Sequence, residues 1–294
     1  MEEVTPQEGW LNTSGLRMHY LDWSGTPSSH GQDNRPAVVA LHGLASSCHW
    51  YDLVIPRLAD NYRCISLDQR GHGLTDQPPT GYDWHTLSTD VVEALTHLGV
   101  REAAVMGHSW GGYVALSLAA KYPEHVSKLV MVDGGFMDWT RWPGATWEWF
   151  TNLLRPRDVS GTREEFLDRL RHQLAECWSD QLEEIVMTMV RVGPDGLVRD
   201  ILEPTNHAQV LDAMWNEPPS SMFHLVRCPT MIMSAGPRAG GGNSEFSRMR
   251  REMADAAQSA IGDCRVEWIP DTIHDIGYHK PDEMAKALNA FLSR

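Results

Sequence analysis

The sequence of 294 residues holds no apolar run near the ~20 residues needed to cross a bilayer, so no membrane-spanning helix is expected. Its start, Met1-Glu2-Glu3-Val4-Thr5-Pro6, is acidic and lacks the apolar stretch of a secretory leader, so no signal peptide is expected, and the cysteine pattern makes a cytoplasmic protein the expectation. Cysteines are few and scattered. Cys48, Cys64, Cys177, Cys228 and Cys264 are odd in number and lack Cys-x-x-Cys spacing, which fits reduced thiols better than a disulfide framework. His-Glu-x-x-His is absent, and His274 and His279 are not an i,i+4 pair, so no metal is expected. No phosphate-cradling glycine loop is present, and Gly71-x-Gly73 lacks the rest of a dinucleotide fingerprint, so no cofactor is expected. Basic residues are outnumbered 25 to 39 by acidic ones, for a net charge of −14. That argues against nucleic acid or an anionic membrane as partner and makes a strongly anionic substrate less expected. Repeats and low-complexity tracts are missing as well.

What is present is an ordinary globular composition, with 42% hydrophobic and 22% charged residues. Leu16–Trp23 alternates as a half-exposed strand does, and 24–35 reads as a polar loop. From Ala37 a strand–loop–helix rhythm sets in. Strands are expected at Ala37–Leu41, Arg63–Leu67, Ala103–Met106 and Lys128–Val132, and helices at His49–Leu58 and Asp83–Leu98. The rhythm stops at Gly134. From about Phe136 to Leu225 the patterns are helical with no convincing strand, at Arg163–Glu176, Asp180–Arg191 and Thr205–Trp215. Strands return at Thr230–Ser234 and Arg265–Ile269, with helices at Ser244–Ala260 and Pro281–Leu292; Gly240-Gly241-Gly242 reads as a loop. Short apolar strands alternating with amphipathic helices imply a mostly parallel sheet covered on both faces. The expected organisation is an α/β core, 1–135 and 226–294, carrying an inserted helical cap, 136–225.

The chemistry gathers around Gly107-His108-Ser109-Trp110-Gly111. An apolar strand precedes it and a small-residue helix follows. A serine on such a sharp turn stands above the sheet, where a base and a substrate both reach it, and side chains at Gly107 and Gly111 would crowd the turn. Serine needs that base at neutral pH. Among 14 histidines, His274 fits the role, because its loop follows the last strand and lies at the same carboxyl edge as Ser109. The developing oxyanion needs N–H donors. Trp110 supplies one, and Leu44, in the loop Leu41-His42-Gly43-Leu44-Ala45, supplies the second. His42 and Gly43 are placed at the substrate-facing turn, with His42 expected to hold the loop rather than move a proton.

These segments together resemble the α/β-hydrolase family. Its His-Gly oxyanion loop is matched by His42-Gly43, and its Asp-x-Arg-Gly-His-Gly segment by Asp68-Gln69-Arg70-Gly71-His72-Gly73. Its nucleophile elbow is matched by Gly107–Gly111 and its late histidine by His274. The resemblance implies structural roles for Asp68, Arg70 and His72. It also implies a catalytic acid in one of two places. After Thr230–Ser234 the sequence runs Gly236-Pro237-Arg238-Ala239 without a carboxylate, and the first acid beyond is Glu245. The other place, at the end of the preceding core strand, is matched by Asp133. Asp133 is favoured and Glu245 stays open. Asp275, adjacent to His274, is expected to hydrogen-bond within its loop. The elbow's flanks resemble those of epoxide hydrolases, which use an aspartate where this chain has Ser109, so attack at a carbonyl is favoured.

The inserted segment is rich in tryptophan. Trp139, Trp142 and Trp215 are candidate substrate contacts, and Met187, Met189, Met214 and Met222 add apolar surface. The reading is a serine hydrolase acting on a carboxylic ester or lactone of a hydrophobic or aromatic small molecule. Two alternatives remain: a carbon–carbon bond hydrolase of a vinylogous diketone, and a ligand-binding sensor on a hydrolase fold. Monomer and homodimer are both left open.

Overall fold

The computed structural model describes residues 4–13, 15–24, 33–238 and 244–294. Its centre is an eight-stranded sheet in the order β1-β2-β4-β3-β5-β6-β9-β10. These strands are β1 (Gln7–Thr13), β2 (Leu16–Asp22), β3 (Ala37–Leu41), β4 (Arg63–Leu67), β5 (Ala103–His108), β6 (Val126–Val132), β9 (Thr230–Ala235) and β10 (Cys264–Ile269). The pairs from β4 through β10 are parallel, while β1–β2 and β2–β4 are antiparallel. Successive strand residues feed opposite faces. Val39, Leu41, Val105 and Met131 join one buried cluster, and Val38, Ala40, Met106 and Val130 join the other. Both faces are therefore buried, which is why these strands read as unbroken apolar runs.

Helix α1 (Trp84–His97) begins where the Asp83 carboxylate accepts the Thr86 N–H, 3.0 Å away. Helix α2 (Trp110–Lys121) is buried over almost its whole length, which its glycines and alanines allow. Helices α7 (Glu245–Ala260), α8 (Ile276–His279) and α9 (Pro281–Leu292) close the chain. Among the described residues no helix is long and apolar enough to cross a membrane.

Between β6 and β9 lie α3 (Trp147–Leu153), α4 (Arg163–Gln173), α5 (Asp180–Met187) and α6 (Pro204–Asn216). The segment is not wholly helical as expected. Val190–Val192 (β7) and Val198–Asp200 (β8) form an antiparallel hairpin around Gly193-Pro194-Asp195-Gly196, so the helix expected to reach Arg191 stops at Met187. Helix α6, expected from Thr205, starts one residue earlier at Pro204, because proline fits the first helical position without needing an N–H partner. The helix expected over His49–Leu58 is two short 3-10 turns, Cys48–Tyr51 and Ile55–Arg57, the second carrying Pro56 at its start. Strand β1 was not anticipated at all. Most of the expected 24–35 loop and the glycine run 240–242 lie outside the described residues.

Candidate active site

Ser109 sits between β5 and α2 with φ 51° and ψ −118°, a conformation that L residues seldom adopt. The turn is tight enough that a Cβ on Gly107 would come within 2.1 Å of the Gly111 carbonyl oxygen. A Cβ on Gly111 would meet the Leu41 carbonyl at 2.3 Å. Backbone packed on backbone leaves no flexible side chain to yield, so the strain at Ser109 is held by its surroundings. The next N–H, that of Trp110, stands at the start of α2, where the helix dipole favours negative charge. The loop after β3 packs against this turn. A Cβ on Gly43 would lie 3.2 Å from Ser109 Cβ and 3.0 Å from His108 Nδ1.

His274 lies in the loop after β10. Its Nδ1 donates to Asp133 Oδ2 across 2.6 Å. Asp133 follows β6 with φ 46°, and its Oδ1 accepts from the Ala235 N–H at 2.8 Å and the Ser234 hydroxyl at 3.0 Å. Arg250 of α7 also donates to Oδ1. Burial alone would raise the Asp133 carboxyl, but the hydrogen bond and charge of His274, aided by Arg250, hold it at about 2. For His274, burial works downward, and the hydrogen bond and charge of Asp133 override it, so the imidazole is raised above its ordinary value. Its side chain remains 52% exposed, which leaves it open to the cavity. Ser109 and His274 make no hydrogen bond to each other in the structure. Such contacts often tighten only when substrate binds.

The loop that carries His274 is braced. His108 Nε2 donates to the His274 carbonyl at 3.2 Å, and the His108 ring stacks on Trp50 with centroids 3.9 Å apart. The Trp50 indole donates to Asp275 at 2.9 Å, so Asp275 holds the loop and makes no hydrogen bond to the imidazole. Burial, then the charge of His274, pushes His108 down to about 3, which keeps it neutral.

The family segment supports the Gly43 loop from below. Asp68 accepts from His19 and from the Cys48 and Leu74 N–H groups, and Arg70 pairs with Asp90. His72 accepts the Ala45 N–H through Nε2 at 3.1 Å while its Nδ1 donates to the Arg70 carbonyl.

A cavity of about 410 Å³ joins these groups. Leu44, Ser109, Trp110, Asp133 and His274 line it together with Met137, Trp139, Leu153, Leu154 and Met214 of the inserted segment. A second cavity, of about 230 Å³, also touches Ser109 and His274 and is walled by Trp50, His108, Arg157 and Tyr278. Of the expected aromatic contacts only Trp139 lines the larger cavity. Trp142 instead stacks with Trp139 and Trp149, and Trp215 packs on Trp147 and Phe150. His42 does not face substrate either. It is fully buried, its Nε2 accepts the Gln69 N–H, and its Nδ1 donates to the Gly43 carbonyl. Gly43 borders the smaller cavity. Glu245 is exposed on the first turn of α7 and has no hydrogen bond to His274.

Arg250 escaped the sequence reading. It lies among Met249, Met253, Ala254 and Ala257, the buried residues of an amphipathic helix. An arginine in that stripe needs a carboxylate partner, which was the available signal.

A profile described as alpha/beta hydrolase fold matches residues 36–223. The chain belongs to the α/β-hydrolase fold family. Within it, the chain is 38% identical over 132 residues to a soluble epoxide hydrolase of Corynebacterium sp. (strain C12), covering 45% of this chain and 42% of that one. It is 36% identical over 98 residues to a 2-(acetamidomethylene)succinate hydrolase of Mesorhizobium japonicum (strain LMG 29417 / CECT 9101 / MAFF 303099), covering 33% and 35%. The match to epoxide hydrolase 1 of Caenorhabditis elegans is 33% identical over 135 residues, covering 44% and 32%. The chain thus matches less than half the length of these relatives. Among solved structures, E-2-(acetamidomethylene)succinate hydrolase superposes with a TM-score of 0.77 at 20% identity, covering 99% of this chain and 100% of that one. At that identity the likeness speaks for the α/β-hydrolase fold alone.

Proposed function

We propose that this α/β-hydrolase is a serine hydrolase cleaving a carboxylic ester or lactone of a hydrophobic or aromatic small molecule. The observation that carries the reading is one cavity holding a strained serine and a histidine backed at 2.6 Å by a buried carboxylate. Ser109 Oγ attacks the carbonyl carbon while His274 Nε2 takes its proton. Asp133 orients the imidazole and stabilises its charged form. The Trp110 and Leu44 N–H groups receive the oxyanion. His274 then returns the proton to the departing alkoxide, leaving an acyl-serine. Water, deprotonated by His274, attacks that ester, and the proton goes back to Ser109.

The residues from 136 to 225 act as the cap, since Met137, Trp139 and Met214 give the larger cavity its apolar walls. Relatives named as epoxide hydrolases do not transfer their reaction here. A carboxylate nucleophile suits displacement at saturated carbon, whereas Ser109 suits a carbonyl.

The test is hydrolysis of p-nitrophenyl esters, acetate through octanoate, by the parent protein and Ser109→Ala. Turnover confined to the parent supports the reading, and the chain-length optimum gauges the cavity. Equal turnover in both overturns it. A parent that cleaves a dienoate dione but no ester is a carbon–carbon hydrolase using the same residues.

A further inference from the structure

We propose that Arg250 is a positioning residue for the reaction: it locks one oxygen of Asp133 and offsets its charge, so that the other oxygen orients His274 without over-stabilising the imidazolium. The proposal rests on the serine-hydrolase reading above.

The geometry is asymmetric. Asp133 Oδ2 has one partner, His274. Oδ1 has three: the Ala235 N–H, the Ser234 hydroxyl and Arg250 Nη2. The same Nη2 donates its other proton to Ser234 Oγ at 2.7 Å, closing a ring of hydrogen bonds among Arg250, Ser234 and Asp133. Arg250 is itself held in place. Phe246, one turn earlier on α7, and Trp268 on β10 lie 5.7 and 5.9 Å from its guanidinium carbon. A carboxylate with one oxygen so fixed cannot rotate, and the direction of its bond to His274 is set before substrate arrives.

The charge consequence follows from what faces His274. Asp133 stands behind it at the end of β6, and Asp275 is its neighbour in the chain. Both favour the imidazolium. His108 of β5 lies 4.8 Å away, ring to ring, and stays neutral. Arg250, from α7, is the cation that opposes the two carboxylates. A general base works best when it is neutral near the working pH, and a carboxylate pair without a counter-cation would hold it protonated.

The experiment is the titration of the His274 imidazole, followed by NMR and assigned with His274→Gln, in the parent, Arg250→Met and Arg250→Lys. It is read beside the pH profile of kcat/KM on a p-nitrophenyl ester. The expected result is a midpoint raised by about half to one pH unit in Arg250→Met, with the acid limb of kcat/KM moving by the same amount. Arg250→Lys, which keeps the charge, should return both most of the way. KM should change less than kcat. Midpoints equal in all three proteins overturn the inference. So does a shift in Arg250→Lys as large as in Arg250→Met. Should Arg250→Met not fold, Arg250→Gln takes its place in the same comparison. The titration needs no turnover, so it can fail while Ser109-dependent hydrolysis stands, and it can succeed if that reading falls.

Discussion

His274 and Asp133 are 141 positions apart in the chain, yet Nδ1 and Oδ2 are 2.6 Å apart. The carboxylate reaches the imidazole from the end of β6, one strand nearer the serine than the loop after β9, the other place for an acid that the family resemblance implies. Arg250 ties the ends of the two strands together, donating to Asp133 Oδ1 after β6 and to Ser234 Oγ of β9.

Replacing Asp133 by Asn should keep the fold and lower kcat by ~10²–10⁴-fold, because the amide stabilises the wrong imidazole tautomer. Glu245→Gln should stay within about two-fold, since that side chain is exposed and unconnected to His274. Steady-state kinetics on one ester decide between them. A large loss in Glu245→Gln with none in Asp133→Asn would remove Asp133 from the mechanism.

The pH dependence has a definite sign. In the proposed reaction His274 accepts the serine proton only when neutral, and its partners raise its pKa above the ordinary 6.5. Activity should therefore fall as pH drops, with a midpoint above 6.5, and the limb should disappear from the profile of any residual His274→Ala activity. A midpoint below 6.5 would mean that another group limits the rate.

His72 and His108 behave in the opposite sense. Burial is the chief cause that takes each down to about 3. Between pH 6.5 and about 3 the unfolded chain binds protons at these positions while the folded chain does not, so stability drops with falling pH, by at most about 1.4 kcal/mol per pH unit for each. Urea midpoints measured from pH 7 to 4 should decline. NMR should show both rings still neutral at pH 5, and a ring titrating near 6.5 would refute its assignment as a buried neutral group.

Trp50→Phe removes the indole donor to Asp275 but keeps an aromatic face for His108. The unpaired Asp275 contact should cost about 1 kcal/mol of stability. The loosened His274 loop should lower kcat several-fold with KM little changed. Thermal denaturation and kinetics read the two effects separately, and an unchanged kcat would show that the His108 bond alone fixes the loop.

Gly43→Ala places a methyl 3.0 Å from His108 Nδ1 and 3.2 Å from Ser109 Cβ. The loop must back away, carrying the Leu44 N–H with it. A loss of ~10²-fold in kcat is expected with circular dichroism unchanged, as for removal of one oxyanion donor. Full activity would place the second donor elsewhere.

The core strands were readable because both sheet faces are buried, which leaves continuous apolar runs such as Ala37–Leu41 and Thr230–Ser234. Strand β1 gave no such signal. Of its seven residues only Leu11 and Thr13 are buried, and main-chain pairing to β2 holds it at the sheet edge. The β7–β8 hairpin was hidden because its strands are three residues long and Val192 is exposed; Gly193-Pro194-Asp195-Gly196 was the turn signal that went unused. In the site, the motif residues stood out because their backbone environment admits few alternatives. The cavity walls did not, since tryptophans packed on one another and tryptophans facing a cavity look alike in sequence. Trp139 differs from Trp142 by burial and by its indole bond to the Tyr113 hydroxyl, facts of tertiary packing alone. Arg250 was a charge on an otherwise apolar stripe, and its partner lay 117 residues upstream.

The partners of Asp133 arrive in a fixed order during synthesis. Residues 103 to 133 complete the serine turn and the acid, but Ser234, Arg250 and His274 emerge from the ribosome much later. At about 5–20 residues per second, the 141 residues that separate Asp133 from His274 take roughly 7 to 28 seconds to synthesise. In the proposed reaction, the base reaches the serine only once the last strand and its loop have docked. On that reading, a polypeptide released early lacks its general base.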